Sequence, residues 1–182
     1  MKDNNKELVL DLNLNEYQRR LEGEKQLIEW YSERLPKWKE DPVLFAREVC
    51  GWNPVGEQRD ILYSIAKNDK VSVKAGRAVG KSVVASIAAT WFITCHYDSL
   101  VLITSPNFQQ LTDVIFGTIR EIHRTAPLLN LMFESTATQF RHRLMPATWK
   151  MVIKTASKGE GIRGYNRANK LYITIVTGKH QV

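Results

Sequence analysis

The stretch VSVKAGRAVGKSVVASIAATWF, Val71 to Phe92, decides how the fold of this chain is interpreted. Val71 and Val73 alternate with polar residues, as in a short strand. From Lys81 to about Thr94 the residues are apolar nearly all round, as in a buried helix. A glycine-containing turn that ends in Gly-Lys-Ser joins the two. A strand, a turn and a helix in this order predict a loop that binds phosphate groups.

In such a loop, backbone N–H groups and the positive end of the helix dipole hold phosphate oxygens. Gly80 lets the backbone approach a phosphate, Lys81 is placed to reach the β- and γ-phosphates, and the Ser82 hydroxyl is placed to join a Mg²⁺ shell. The general pattern GxxxxGK[ST] requires glycine at position 75, where this chain has Ala75 followed by Gly76.

Arg77 lies inside the turn and has two interpretations. It is either a cation aimed at the γ-phosphate, which would stabilise charge in a transition state, or a loop arginine that faces solvent. We take Lys81 and Arg77 as candidate catalytic residues and Ser82 as the candidate metal ligand. The candidate nucleotide-binding residues of the turn and helix start are Ala75, Gly76, Arg77, Ala78, Val79, Gly80, Lys81 and Ser82.

The pattern before this stretch is helical. Apolar residues recur at helical spacing from Leu14 to Leu35, and Asp41-Pro42 provides a helix start with Asp as the N-cap. The segment EQRDILYSIAKN, residues 57–68, predicts another short helix.

The pattern after it indicates strands and one more helix. Leu100 to Thr104 is a continuous apolar run that predicts a central parallel strand, and Gln109 to His123 predicts an amphipathic helix. Further strands are expected at Gln139–Arg143, Trp149–Lys154 and Leu171–Ile173. The alternation of strands and helices predicts an α/β fold with a mainly parallel sheet and helices on its faces.

The positive charge of the chain is concentrated in its last quarter. The net charge is +7, residues 1–133 are neutral overall, and residues 134–182 hold nine basic residues against two acidic ones. Such a cluster is either a surface that docks on a polyanion or a solvated basic face. Weak candidates for nucleic-acid binding are Arg141, Arg143, Lys158, Arg163 and Arg167.

The composition excludes some protein classes. No run of about 18 apolar residues is present, so we expect no membrane association through a spanning helix. The N-terminus lacks the basic-then-apolar pattern of an export signal, so we expect a cytoplasmic protein. Cys50 and Cys95 are widely spaced and are expected to be reduced thiols.

Several segments resemble, in order, the ATPase domain of the terminase large subunit, the DNA-packaging motor of tailed phages. The resemblance covers about residues 36–173. It depends on the stretch upstream of the loop with Trp52-Asn53-Pro54 and Gln58, on the loop with Arg77 and a small residue at Ala75, and on two later segments. These are LVLITSPNFQQ from Leu100 and KGEGIRGYNRANKLYI from Lys158.

The resemblance implies a P-loop NTPase of the RecA-like type, a three-layer αβα fold, with ATP and Mg²⁺ as cofactors. Gln58 would contact adenine, although from the sequence alone it is also an ordinary surface glutamine. In this family the partners are double-stranded DNA, a portal protein and the terminase small subunit, and the subunits form a ring in the host bacterial cytoplasm. The implied organisation is an N-terminal helical extension (1–40), a partial ATPase domain (41–173) and a divergent tail (174–182).

The sequence departs from the family at the end of the last predicted strand. The family pattern has an Asp-Glu pair shortly after that strand, whereas this chain continues Thr174-Ile175-Val176-Thr177, and no acidic residue follows Glu160. The acidic pair holds the magnesium shell and polarises the attacking water. We therefore expect a truncated product of a phage or prophage gene that hydrolyses ATP slowly, if at all.

The sequence is also compatible with other functions. One is a helicase-like P-loop ATPase of the same broad architecture. Another is a non-enzymatic nucleic-acid binder that uses the basic residues of 134–182 and ignores ATP. A third is an inert remnant.

Overall fold

The computed structural model describes residues 3–73, 80–106, 109, 111–155 and 169–175. The chain divides into two units, Met1–Pro36 and Lys37–Val182, which are described separately. The first unit holds most of helix α1, Asp3–Glu40, which contains the helix predicted from Leu14 to Leu35. Every side chain of α1 from residue 16 to residue 23 is exposed. None of the described helices is both long and apolar enough to cross a membrane.

Helix α2, Pro42–Glu48, begins where the Asp-Pro pair predicts. Oδ1 of Asp41 accepts hydrogen bonds from the backbone N–H groups of Val43 at 3.0 Å and Leu44 at 2.9 Å. The N–H group at the first helical position has no partner within the helix, so proline, which lacks this group, is tolerated there. The capping prediction is confirmed.

Helix α4, Lys81–Cys95, is the buried helix that the opening stretch predicts, and α3, Glu57–Lys67, is the short helix before it. The buried hydroxyls of Ser86, Thr90 and Thr94 each donate to the carbonyl four residues earlier. Two indole N–H groups also fix α4. Trp91 donates to the carbonyl of Trp38 at 2.6 Å, and Trp149 donates to the carbonyl of Ile93 at 2.7 Å.

The described strands form one sheet in the order β2-β3-β4-β1-β5. β1 lies between β4 and β5 and is parallel to both, with Leu102 opposite Val152 on one side and Tyr172 on the other. All six residues of β1 are buried, so the prediction of a central parallel strand is confirmed. The strand bounds are Leu100–Ser105 (β1), Phe133–Ser135 (β2), Gln139–His142 (β3), Lys150–Thr155 (β4) and Lys170–Thr174 (β5).

The prediction of a mainly parallel sheet is wrong. β2 pairs with β3, and β3 with β4, in antiparallel directions. The connections explain this, because only residues 136–138 join β2 to β3 and only residues 143–149 join β3 to β4. Such short links suit antiparallel neighbours, whereas a parallel pair needs a crossover of a dozen residues or more. The α/β class is confirmed with a mixed sheet, and the three-layer P-loop architecture stays a prediction.

The strand predicted at Val71–Lys74 is also not found. Residues 71–73 have no strand structure, and the side chains of Val71 and Val73 are 38% and 42% exposed. Lys74 lies outside the described residues.

The helix predicted from Gln109 to His123 is present in two parts. Leu111–Phe116 is a π-helical turn, and α5, Gly117–Thr125, continues from it. The Ser86 hydroxyl of α4 lies 3.1 Å from the carbonyl of Ile115 in the π-helical turn. Helix α6, Pro127–Met132, follows and leads into β2.

An aromatic cluster fills the antiparallel side of the sheet. The rings of His142 and Trp149 stack at 4.1 Å, and those of Phe133 and Phe140 stack at 4.9 Å. His123 meets Phe140 edge-on at 5.0 Å. Burial among these rings lowers the pKa of His123 and His142 below the ordinary value of 6.5.

The Asp41 cap gives the first testable prediction. Asp41→Ala removes the acceptor for two N–H groups of α2, and we expect it to lower the free energy of unfolding by about 1 kcal/mol. Asp41→Asn keeps an oxygen at the same place and should recover most of that loss. Urea denaturation of both variants, with the exposed Glu40→Ala as control, measures the effect. An Asp41→Ala protein as stable as the wild type would contradict it.

The histidines predict how stability depends on pH. Burial lowers the pKa of His96, His123 and His142 in the folded chain, so the unfolded chain binds more protons near pH 6.5. The free energy of unfolding should therefore fall as the pH decreases from about 7 through 6.5 and below. Urea denaturation across this range tests it. His142→Phe keeps a stacked ring and should make the decrease shallower, whereas a stability that rises on acidification would contradict the argument.

Candidate functional site at the start of helix α4

Gly80 is the one residue of the predicted turn before α4 that the structure describes. It is the N-cap of α4 and has left-handed backbone angles, φ 72° and ψ 19°. A residue with a Cβ rarely adopts such a conformation, so the chain needs glycine here. The carbonyl of Gly80 accepts from the N–H of Val84 at 3.0 Å, the first hydrogen bond of the helix.

Lys81 and Ser82 form the first turn of α4. The Lys81 side chain is exposed and that of Ser82 is half-buried, while the helix is buried from Val84 onward along most of its length. The N-cap residue, Gly80, has no side chain that could accept a hydrogen bond from the first turn of the helix. The first N–H groups of a helix have no partner within it, so a cation, a hydroxyl and backbone donors are brought together at this end.

Gln58 lies next to Gly80, although 22 positions separate them in the sequence. A Cβ placed on Gly80 would lie 2.8 Å from Nε2 of Gln58 and 3.8 Å from its Cδ. Oε1 of Gln58 accepts from the N–H of Val55 at 3.1 Å. The structure thus brings Gln58, Gly80 and the start of α4 together, as a common site requires.

The remaining predicted loop residues lie outside the described residues. This holds for Ala75, Gly76, Arg77, Ala78 and Val79, so the shape of the loop and the role of Arg77 stay predictions. Gln58, Gly80, Lys81 and Ser82 are the site residues that the structure places.

The carboxyl ends of β1 and β5 lie side by side. The hydroxyls of Thr104 and Thr174 are 3.1 Å apart, and the N–H of Ile175 donates to the carbonyl of Thr104 at 2.8 Å. The family pattern expects an Asp-Glu pair just after β5. The described residues at this end are Thr174 and Ile175, which have no carboxylate.

The basic candidates on β3 and just after it contact the protein itself. Nε of Arg141 lies 3.7 Å from a carboxylate oxygen of Glu134, and Nε of Arg143 donates to the carbonyl of Asn130 at 3.1 Å. Lys158, Arg163 and Arg167 lie outside the described residues. The role of these arginines in nucleic-acid binding stays a prediction.

Metal ligands are sparse in the part of the chain that the structure describes. No group of three or more His, Cys, Asp or Glu side chains there could hold a metal ion. Cys50 and Cys95 are free thiols, and burial raises the pKa of both. A cysteine or histidine metal centre thus has no support among these residues.

Two residues that the sequence analysis missed hold parts of the candidate site in place. Ser86 connects the first turns of α4 to the π-helical turn, and Val55 holds the side-chain amide of Gln58. A serine in an apolar helix is a weak signal for such a link. Nothing in the local sequence marks Val55, because it binds Gln58 through its backbone N–H group and not through its side chain.

No family model matches the chain. It is similar to a protein of Enterobacteria phage P7 named "Probable terminase, large subunit". The two are 30% identical over 152 residues, which cover 76% of this chain and 31% of the phage protein. The chain thus spans less than a third of the length of this relative. The resemblance to terminase large subunits indicated by the sequence motifs is therefore confirmed.

Proposed function

We propose that this chain is the ATP-binding part of a phage terminase large subunit and serves DNA packaging. The observation that carries the proposal is the meeting of Gln58, Gly80, Lys81 and Ser82 at the start of α4, in a chain related to a protein named as a terminase large subunit.

The residues at this end of α4 suit the binding of a nucleoside triphosphate. α4 has 15 residues, and its N-terminus combines backbone N–H donors with the positive end of the helix dipole. The ammonium of Lys81, an exposed residue, would pair with phosphate oxygens, and the absence of a Cβ at Gly80 lets them approach the backbone. The Ser82 hydroxyl would hold Mg²⁺, which supplies charge neutralisation between the phosphates when bound.

We further propose that the chain binds ATP without efficient hydrolysis. Cleavage of the γ-phosphate requires a group that orients and polarises the attacking water. At the end of β5, where the family pattern places that carboxylate, the described residues are Thr174 and Ile175. A threonine hydroxyl has a pKa far above neutrality and is a poor general base, so turnover should be very slow.

The partners follow from the same proposal. A packaging motor acts on double-stranded DNA together with a portal protein and a small subunit, as a ring in the cytoplasm of the host bacterium. A helicase-like ATPase is less well supported, because the relative in phage P7 bears a terminase name. A nucleic-acid binder that ignores ATP is also less well supported, because one of its candidate residues, Arg141, pairs with Glu134.

Calorimetric titration with a non-hydrolysable ATP analogue and Mg²⁺ tests the binding site. We expect saturable binding by the wild type, and Lys81→Ala should weaken it by about 10- to 100-fold, the range for losing a charged hydrogen bond. Lys25→Ala, an exposed lysine of α1 in the other unit, is the matched control and should bind as the wild type does. Equal binding by the wild type and Lys81→Ala would refute the site.

Phosphate release tests the deficiency in hydrolysis. The wild type and Lys81→Ala should both release phosphate from Mg·ATP at the background rate, since the described residues at the end of β5, Thr174 and Ile175, have no carboxylate to activate water. The assay is run under conditions in which calorimetry shows the wild type saturated. A release rate that saturates with ATP and disappears in Lys81→Ala would show that another group serves as the base.

A further inference from the structure

The side-chain amide of Gln58 is oriented by the protein itself. The N–H of Val55 is a donor, so the atom of Gln58 that it meets at 3.1 Å must be the acceptor Oε1. This assignment directs the Nε2 group of Gln58 toward Gly80. The two ends of one amide therefore face Val55, two residues before α3, and Gly80, the residue before α4.

Gly80 has two separate reasons to be glycine. Its φ of 72° disfavours any L side chain, and a Cβ would come within 2.8 Å of Nε2 of Gln58. Real Cβ atoms essentially never approach a neighbour so closely. Nε2 is the far end of a flexible side chain, so the amide would shift to make room, and the shift would disturb its hydrogen bond from Val55. The second reason is independent of any phosphate.

We propose that Gln58 is a positioning residue that holds Gly80 and, through it, the first turn of α4 in place for a phosphate group. This inference rests on the proposed function and deepens it. If Gln58 only contacted the base, its removal would lower the affinity for nucleotides and leave the affinity for inorganic triphosphate unchanged. A glutamine that positions Gly80 affects the binding of any polyphosphate, with or without a base.

Thermal unfolding of four proteins tests the contact. They are the wild type, Gln58→Ala, Gly80→Ala and the double variant. In the wild-type background Gly80→Ala suffers both backbone strain and the clash with Gln58, whereas in the Gln58→Ala background only the strain remains. We expect the loss in Tm caused by Gly80→Ala to be smaller by about 2–4 °C in the second background.

Gly51→Ala is the matched control for this cycle. Gly51 also has a positive φ, 66°, but a Cβ there would meet nothing within 4 Å. Its loss in Tm should be the same with and without Gln58. Additive losses for Gly80→Ala and Gln58→Ala would overturn the proposal, because the two residues would then not interact.

Binding of inorganic triphosphate with Mg²⁺ separates positioning from base contact. We expect Gln58→Ala to weaken Mg·triphosphate and the Mg·ATP analogue by a similar factor, about 5- to 10-fold. Loss of affinity for the nucleotide alone would overturn positioning and leave Gln58 as a base contact. If the wild type binds neither compound, the proposed function and the positioning role both fail. Coupling between Gln58 and Gly80 in the melts would then indicate a contact that serves stability only.

Discussion

The complete burial of β1 is the constraint on which the described part of the second unit depends. A strand with all six residues buried needs a partner along each edge and cover on both faces, because its backbone groups and side chains have no access to water. β4 and β5 provide the edges. The carboxyl end of β5 is thereby fixed next to that of β1, where the Thr104 and Thr174 hydroxyls meet.

Helix α4 depends on this sheet for its own position. Ten of its fifteen residues are buried, and the indoles of Trp91 and Trp149 bind backbone carbonyls that connect its second half to the rest of the unit. The first turn differs, because Lys81 is exposed and Ser82 half-buried. A helix fixed along its buried length can present its N-terminus in a constant place. The side chain of Gln58 lies against the glycine at that end.

The sequence predicted the elements whose cause is local. The structure contains all three elements of this kind: the Asp41-Pro42 cap, the apolar strand from Leu100 and the buried helix from Lys81. Capping, burial and periodicity depend on residues that are close together in the sequence. Strand pairing was predicted less well. Val71–Val73 has the alternation of a strand, but an alternating pattern cannot show whether the segment pairs with a strand that lies far away in the sequence. The same limit applies to the mixed sheet direction and to the Gln58–Gly80 contact, both of which depend on residues distant in the sequence.

Binding a polyphosphate and cleaving it make separate demands on the candidate site. Holding a polyphosphate needs a fixed helix N-terminus, a cation and a backbone free of Cβ atoms, and α4 has these in Gly80 and Lys81. Cleaving one also needs a group that activates water, and the carboxyl ends of β1 and β5 carry the hydroxyls of Thr104 and Thr174. Because the two requirements come from different elements, α4 and β5, one can be lost while the other persists. Under the proposed function, such a chain would bind ATP without hydrolysing it.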